Sequence, residues 1–220
     1  MPRTKLEEET EELNSEIATL SETIENLIDQ VILSFEKIDV EKLQSIKDTD
    51  IMIYLKTKSI ETKCVDLLAL QSPVAGDLRK IFTILETLTD LDRIGRYAYD
   101  ISLEIPYFME LGHIKKLEKI PAMAQLTKSM VKLSITSFLN KDLELARSLI
   151  NEDDKVDDLY KLLIRETIEH MKADLNNISR GIHYVLVGRY LERMADHAVN
   201  IGDRVVYMLT GEKIIHLKNE

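Results

Sequence analysis

Between residues 6 and 38 the apolar side chains fall at Leu6, Leu13, Ile17, Leu20, Ile24, Leu27, Val31, Phe35 and Ile38. From Leu13 onward the steps alternate four and three, a heptad seam that predicts one long helix with a single core-facing stripe. Glu7, Glu11, Glu16 and Glu22 take the opposite face. Asp39, ahead of Val40 and Glu41, reads as the cap of a second helix running to about residue 72. Ser72 and Pro73 then read as cap and first position of a third helix. Its stripe runs through Ile81, Leu85, Leu88, Leu91, Ile94 and Ala98, and fades near Ile105 and Pro106.

Residues 106–121, with Gly112 among them, read as a connector. Beyond it the plan recurs. Helices are predicted over 122–139, 142–174 (with a bend near Asn151) and 179–210. The breaks fall at Asn140-Lys141-Asp142 and Asn176-Asn177, and Gly211 stops the last helix. The expectation is an all-α chain of two tandem antiparallel three-helix bundles, residues 1–110 and 111–220.

A shift of 100 positions lays the third helix on the sixth, which makes duplication the better explanation of the recurrence. Leu91-Asp92-Arg93-Ile94-Gly95 meets Leu191-Glu192-Arg193-Met194-Ala195, Tyr97-Ala98 meets His197-Ala198, and Asp100-Ile101 meets Asn200-Ile201.

Composition narrows the chemistry. Only seven Gly and four Pro in 220 residues leave few breakers, consistent with long helices. A net charge of -10, with no Lys/Arg stripe, argues against nucleic acid as a direct partner. Cys64 is the sole cysteine, so neither an internal disulfide nor a thiolate zinc site can form, and its apolar setting predicts a buried thiol. Residues 1–8 lack the apolar region of a signal peptide, and no apolar run approaches the ~20 residues of a membrane span. The expected location is the cytoplasm, with room to lie against a membrane protein from inside.

Acids gather at Asp153, Asp154, Asp157 and Asp158, and at Glu192, Asp196 and Asp203. Pairs at i and i+4 share a helix face, where like charges cost a few tenths of a kcal/mol. Folding the chain back at Asn176-Asn177 sets Asp157 level with Asp196 and Asp153 level with Asn200, with Glu192 a turn further along. Asp153, Asp157, Glu192, Asp196 and Asn200 would then form an oxygen-only cage for Fe, Mn, Mg or Ca. The alternative is a pair of solvated faces. Acids at 153–158 also suit a helix opening. Glu-x-x-His spacing occurs only at Glu110 and His113, inside the connector, so a di-iron oxidase is poorly supported. None of His113, His170, His183, His197 and His216 pairs with a nucleophile, and no glycine-rich phosphate loop occurs. Arg79-Lys80 reads as an ordinary surface pair.

Two stretches resemble the PhoU family. Residues Leu68-Ala69-Leu70-Gln71-Ser72-Pro73-Val74-Ala75-Gly76-Asp77-Leu78-Arg79, followed by Thr89-Asp90-Leu91-Asp92-Arg93-Ile94-Gly95, are similar to its first signature. Tyr190-Leu191-Glu192-Arg193-Met194-Ala195-Asp196-His197-Ala198-Val199-Asn200-Ile201, ending in Leu209-Thr210-Gly211-Glu212, resembles the second. The resemblance implies paired three-helix bundles and negative regulation of phosphate uptake, with no enzymatic activity. The implied contacts are with the cytoplasmic ATPase subunit of the phosphate transporter and, where one exists, a sensor histidine kinase. Peripheral membrane association through these partners, and a homodimer, are compatible with it. A bound metal, in some members an iron cluster, is also implied.

The family's ligand motif is an acid, three residues, then Asp, on two helices per repeat. The second repeat keeps it, as Asp153/Asp157 and Glu192/Asp196. The first departs from it: the pairs become Asp50/Tyr54 and Asp92/Arg96. Arg96 carries a fixed positive charge that can neutralise Asp50, Asp92 or Asp100. One metal cluster in the second bundle and an arginine-filled first site are therefore expected. The rival readings are a metal-dependent enzyme on a helical bundle and a purely structural bundle.

Overall fold

A computed structural model describes residues 2–71 and 73–212, with side chains from residue 5 onward. Six long helices make up the fold: α1 Pro2–Lys37, α2 Leu43–Gln71, α3 Ala75–Leu103, α4 Lys119–Asn140, α5 Leu143–Ala173 and α6 Ile178–Thr210. The α1 seam is buried from Leu13 through Phe35, because a four-three repeat keeps one stripe inward over the whole length. Ile38, the last predicted member, instead takes a left-handed backbone (φ 56°) and ends the helix. Asp39 caps a 3₁₀ turn, Val40–Lys42, accepting from the Glu41 N–H at 3.1 Å, and α2 follows directly.

Three predicted boundaries move. Pro73 does not open α3; that helix begins at Ala75, after an extended Val74 (φ -87°, ψ 168°) that offers no side-chain cap. Ser72, the predicted cap, lies outside the described residues, as does His216. α4 starts at Lys119, so Pro121 sits inside its first turn, where the missing N–H leaves no helical bond unmade. The α5–α6 turn also differs. Asp174 caps a 3₁₀ turn, Leu175–Asn177, that runs straight into α6, so the chain reverses earlier than at Asn176-Asn177. At Lys141 (φ 54°) and Gly211 (φ 78°) the backbone turns left-handed and α4 and α6 stop, as the breaks predicted.

α1–α3 pack as one bundle and α4–α6 as a second, and the two share a continuous apolar core. They join along α3 against α6 and α1 against α4. Across α1–α4, Lys128 Nζ lies 2.8 Å from Asp29 Oδ1. Across α3–α6, buried Asp90 receives the Arg204 guanidinium and, at 2.8 Å, His197 Nδ1. Glu86 adds a second carboxylate 3.3 Å from Arg204 Nε. Further along, His183 Nδ1 lies 2.5 Å from Glu104.

The connector is pinned by aromatics: Phe108 packs on Phe35 and Tyr184 with ring centroids 5.2 and 5.1 Å apart. His113 donates through Nε2 to the Phe35 carbonyl (2.9 Å) and accepts the Tyr184 hydroxyl at Nδ1 (3.1 Å). That inward role leaves exposed Glu110 apart from it and disposes of the only Glu-x-x-His pair.

Candidate metal centre

Small residues set the spacing of α5 against α6. A Cβ added to Gly188 would come within 2.5 Å of Leu163 Cδ2, and one on Gly202 within 2.9 Å of the Ala146 carbonyl oxygen. These neighbours fix the register roughly one helical turn away from the sequence expectation, because the chain turns at Asp174–Leu175. Asp157 therefore comes level with Glu192 and Asp153 with Asp196, while Asn200 falls beyond the cluster and is exposed.

Glu192 is the centre of this group. It is buried, yet only one of its oxygens is well served: Oε1 receives the Arg189 guanidinium, while Oε2 is enclosed without a hydrogen bond, 3.9 Å from Arg193 Nε. Burial, reinforced by Asp196 and Asp157, pushes its carboxyl above the usual carboxylate range, against the pull of Arg189 and Arg193. Asp196 lies 3.8 Å from Arg193 Nη1. Asp153 is buried and Asp157 half-buried on the facing helix. Among the described residues, no three acidic, imidazole or thiol side chains converge closely enough to enclose a metal ion as they stand. What the structure brings together is a buried carboxylate with an unserved oxygen and acids crowded around it. Oxygen donors are the class a hard cation takes, but such an ion would have to draw these closer together than they stand.

The first bundle is built differently. Asp50 is buried and Arg96 Nη1 lies 3.0 Å from its Oδ2. Burial raises the Asp50 carboxyl, Arg96 pulls it down and Asp92 pushes it up. Asp100 is raised by burial too, with Arg96 opposing and Asp50 and Glu104 assisting. The guanidinium thus stands against Asp50, and its charge also acts on Asp100. Tyr54 is turned to solvent, with Lys58 Nζ 5.7 Å from its ring centre.

The remaining candidates are ordinary. Burial pushes the Cys64 thiol up to about 12, so it is an inert core residue. Lys80 pairs loosely with Glu11 at 3.8 Å. Sequence reasoning missed Asp90, His197 and Arg204 as a group. The one signal was an Asp and a His inside the two signature segments, and it carries no information about which helices face each other.

Residues 17–105 and 120–205 each match the PhoU domain. The chain belongs to the PhoU family. It is 33% identical over 215 residues to the "Phosphate-specific transport system accessory protein PhoU homolog" of Clostridium acetobutylicum, covering 97% of this chain and 98% of the relative. It is 34% identical over 212 residues to the protein of the same name from Aquifex aeolicus, covering 96% of each. In three dimensions it resembles the crystal structure of PhoU from Pseudomonas aeruginosa, with a TM-score of 0.88 at 28% identity, over 94% of this chain and 99% of that one. The phosphate transport system regulatory protein PhoU from Streptococcus pneumoniae matches equally well, over 96% and 100%. None of the described helices is long and apolar enough to cross a membrane.

Proposed function

We propose that this chain is a non-catalytic accessory of phosphate-specific transport that restrains uptake through protein contacts. Its partners are the transporter's cytoplasmic ATPase subunit and, where present, a sensor kinase. The observation that carries this reading is likeness along nearly the full length, through both repeats, to proteins named as accessories of that system. The test is genetic and physical. Deleting the gene should raise phosphate uptake in phosphate-replete cells, and tagged protein should recover the ATPase subunit from membranes. Unchanged uptake together with no ATPase recovered would sink the reading.

The same proposal assigns a cation to the second bundle, held by Asp153, Asp157, Glu192 and Asp196. The buried, unserved oxygen of Glu192 supports it. Arg96 takes the cation's place in the first bundle. Elemental analysis after chelation and reloading should find metal lost in Asp157→Ala and retained in Asp92→Ala. Equal loss in both variants would refute the asymmetry.

A further inference from the structure

The seam between α3 and α6 is two-fold symmetric in its contacts as well as in its sequence. Tyr97 stacks on Tyr190 with centroids 6.0 Å apart. The positions displaced by 100 residues, His197 and Asp90, make the matching contact at 2.8 Å. Tyr97 and His197, equivalent to each other, meet 5.8 Å apart. The axis passes between them, normal to the seam, and so exchanges the start of α3 with the start of α6 on one face of the molecule.

Both starts carry exposed apolar side chains, and the 100-residue shift matches Leu78 with Ile178 and Phe82 with Ile182, while Val74 falls on Asp174 and Leu175 on Ala75. Val74, Leu78 and Phe82 are 74%, 38% and 52% exposed; Leu175, Ile178 and Ile182 are 74%, 43% and 51% exposed. Exposure of this kind is not repeated elsewhere as a matter of course. Counted from the motif residues Asp50 and Asp153, the outer face of α2 has Ile51, Met52 and Leu55 where α5 has Asp154, Lys155 and Asp158. Burying apolar surface is worth about 25 cal/mol per Å², so large side chains left in water at the same place in both repeats call for a cover.

Charge points the same way. Each end holds an arginine with no carboxylate partner among the described residues. Arg79 is exposed beside the first patch and lines a cleft of about 530 Å³ with Leu78, Phe82, Tyr207, Arg204 and the carboxylates Glu86 and Asp203. Arg180, at the second, donates only to the Leu111 and Gly112 carbonyls and to Asn177 Oδ1. Three apolar residues fall well short of the roughly 800 Å² per partner that a stable interface buries, so one patch alone would bind weakly. Two patches on one face, engaged together, add avidity.

We propose that this face is a bivalent docking surface for a two-fold-symmetric protein dimer, each subunit of which inserts an apolar side chain flanked by a carboxylate at one end of the α3–α6 seam. The pseudo-symmetry of one chain is thereby matched to the true symmetry of its partner. The choice of probe rests on the regulatory reading above: the transporter's ATPase subunit, purified as an ATP-held dimer of a hydrolysis-deficient variant.

Sedimentation and calorimetry should find one chain per two ATPase subunits. Phe82→Asp or Ile182→Asp alone should weaken binding about 100-fold, and the double variant should abolish it. Leu55→Asp, on the outer face of α2, should bind like the parent. These sites are exposed, and unchanged melting temperatures would show that the variants fold. A one-to-one complex, undiminished binding by Phe82→Asp, or loss confined to Leu55→Asp would overturn the docking face and leave the regulatory reading standing. A dimer of the chain itself that Phe82→Asp dissociates would assign the face to a second copy and overturn the proposal. Absence of any ATPase binding would also overturn it, and the uptake phenotype then judges the regulatory reading separately.

Discussion

Glu192 and Arg96 are two answers to one residue-scale problem, an acid that helix packing withdraws from water. At Asp50 the answer is covalent to the chain: Arg96, one turn from Asp92 and Asp100, supplies a permanent positive charge at 3.0 Å. Replacing Arg96 by Met should destabilise the protein by about 1–2 kcal/mol in urea titrations, since Asp50 is buried while Arg96 is half exposed and partly screened. At Glu192 the answer is incomplete. Its carboxyl is raised in the folded state, first by burial and then by Asp196. The folded protein therefore holds this proton more tightly than the unfolded chain does. The metal-free protein must lose stability as pH rises from the ordinary carboxylate range through the raised value. Above that window Glu192→Gln should melt higher than the parent, by about 1 kcal/mol in stability. With a saturating divalent cation the order should reverse. A variant that melts lower with and without metal would contradict the account.

At the scale of the element, α5 and α6 depend on how closely their backbones approach. Gly202 faces the Ala146 carbonyl, which cannot move without carrying α5 with it. Gly202→Ala should therefore cost about 1–3 kcal/mol, read as a lower denaturation midpoint. Gly76, in the first turn of α3, has nothing within reach of an added Cβ. Gly76→Ala should instead stabilise by about 0.5–1 kcal/mol, by reducing the freedom of the unfolded chain. The pair separates close approach from backbone entropy at two glycines that look alike in sequence.

Over the whole molecule, the two bundles act as one body because ion pairs and apolar packing share the α3–α6 seam. Asp90 is its electrostatic centre, buried between His197 and Arg204. Asp90→Ala leaves the Arg204 guanidinium short of its buried partner and should cost about 3 kcal/mol. Glu86→Gln, at a more exposed carboxylate, should cost under about 1 kcal/mol. Equilibrium unfolding of both variants, followed by far-ultraviolet circular dichroism, gives the comparison. A loss for Asp90→Ala no larger than that for Glu86→Gln would place the strength of the seam in its apolar contacts alone.

The heptad stripe of α1, the cap at Asp39, the breaks at Asn140-Lys141-Asp142 and Gly211 and the duplication of α3 in α6 were all legible in the sequence. They are local or periodic: a helix face, a cap and a left-handed turn are set by residues a few positions apart. The Arg96 substitution in the first repeat was legible for the same reason, since it lies within one motif. The level of Asp157 against Glu192 was not, because a 3₁₀ turn of three residues decides where a hairpin reverses, and roughly one turn of register follows from it. Nor could sequence reveal that Asp90 meets His197 and Arg204, or that two exposed apolar patches share a face. Those facts depend on which helices of the two bundles pack together, and periodicity constrains each helix without naming its neighbour.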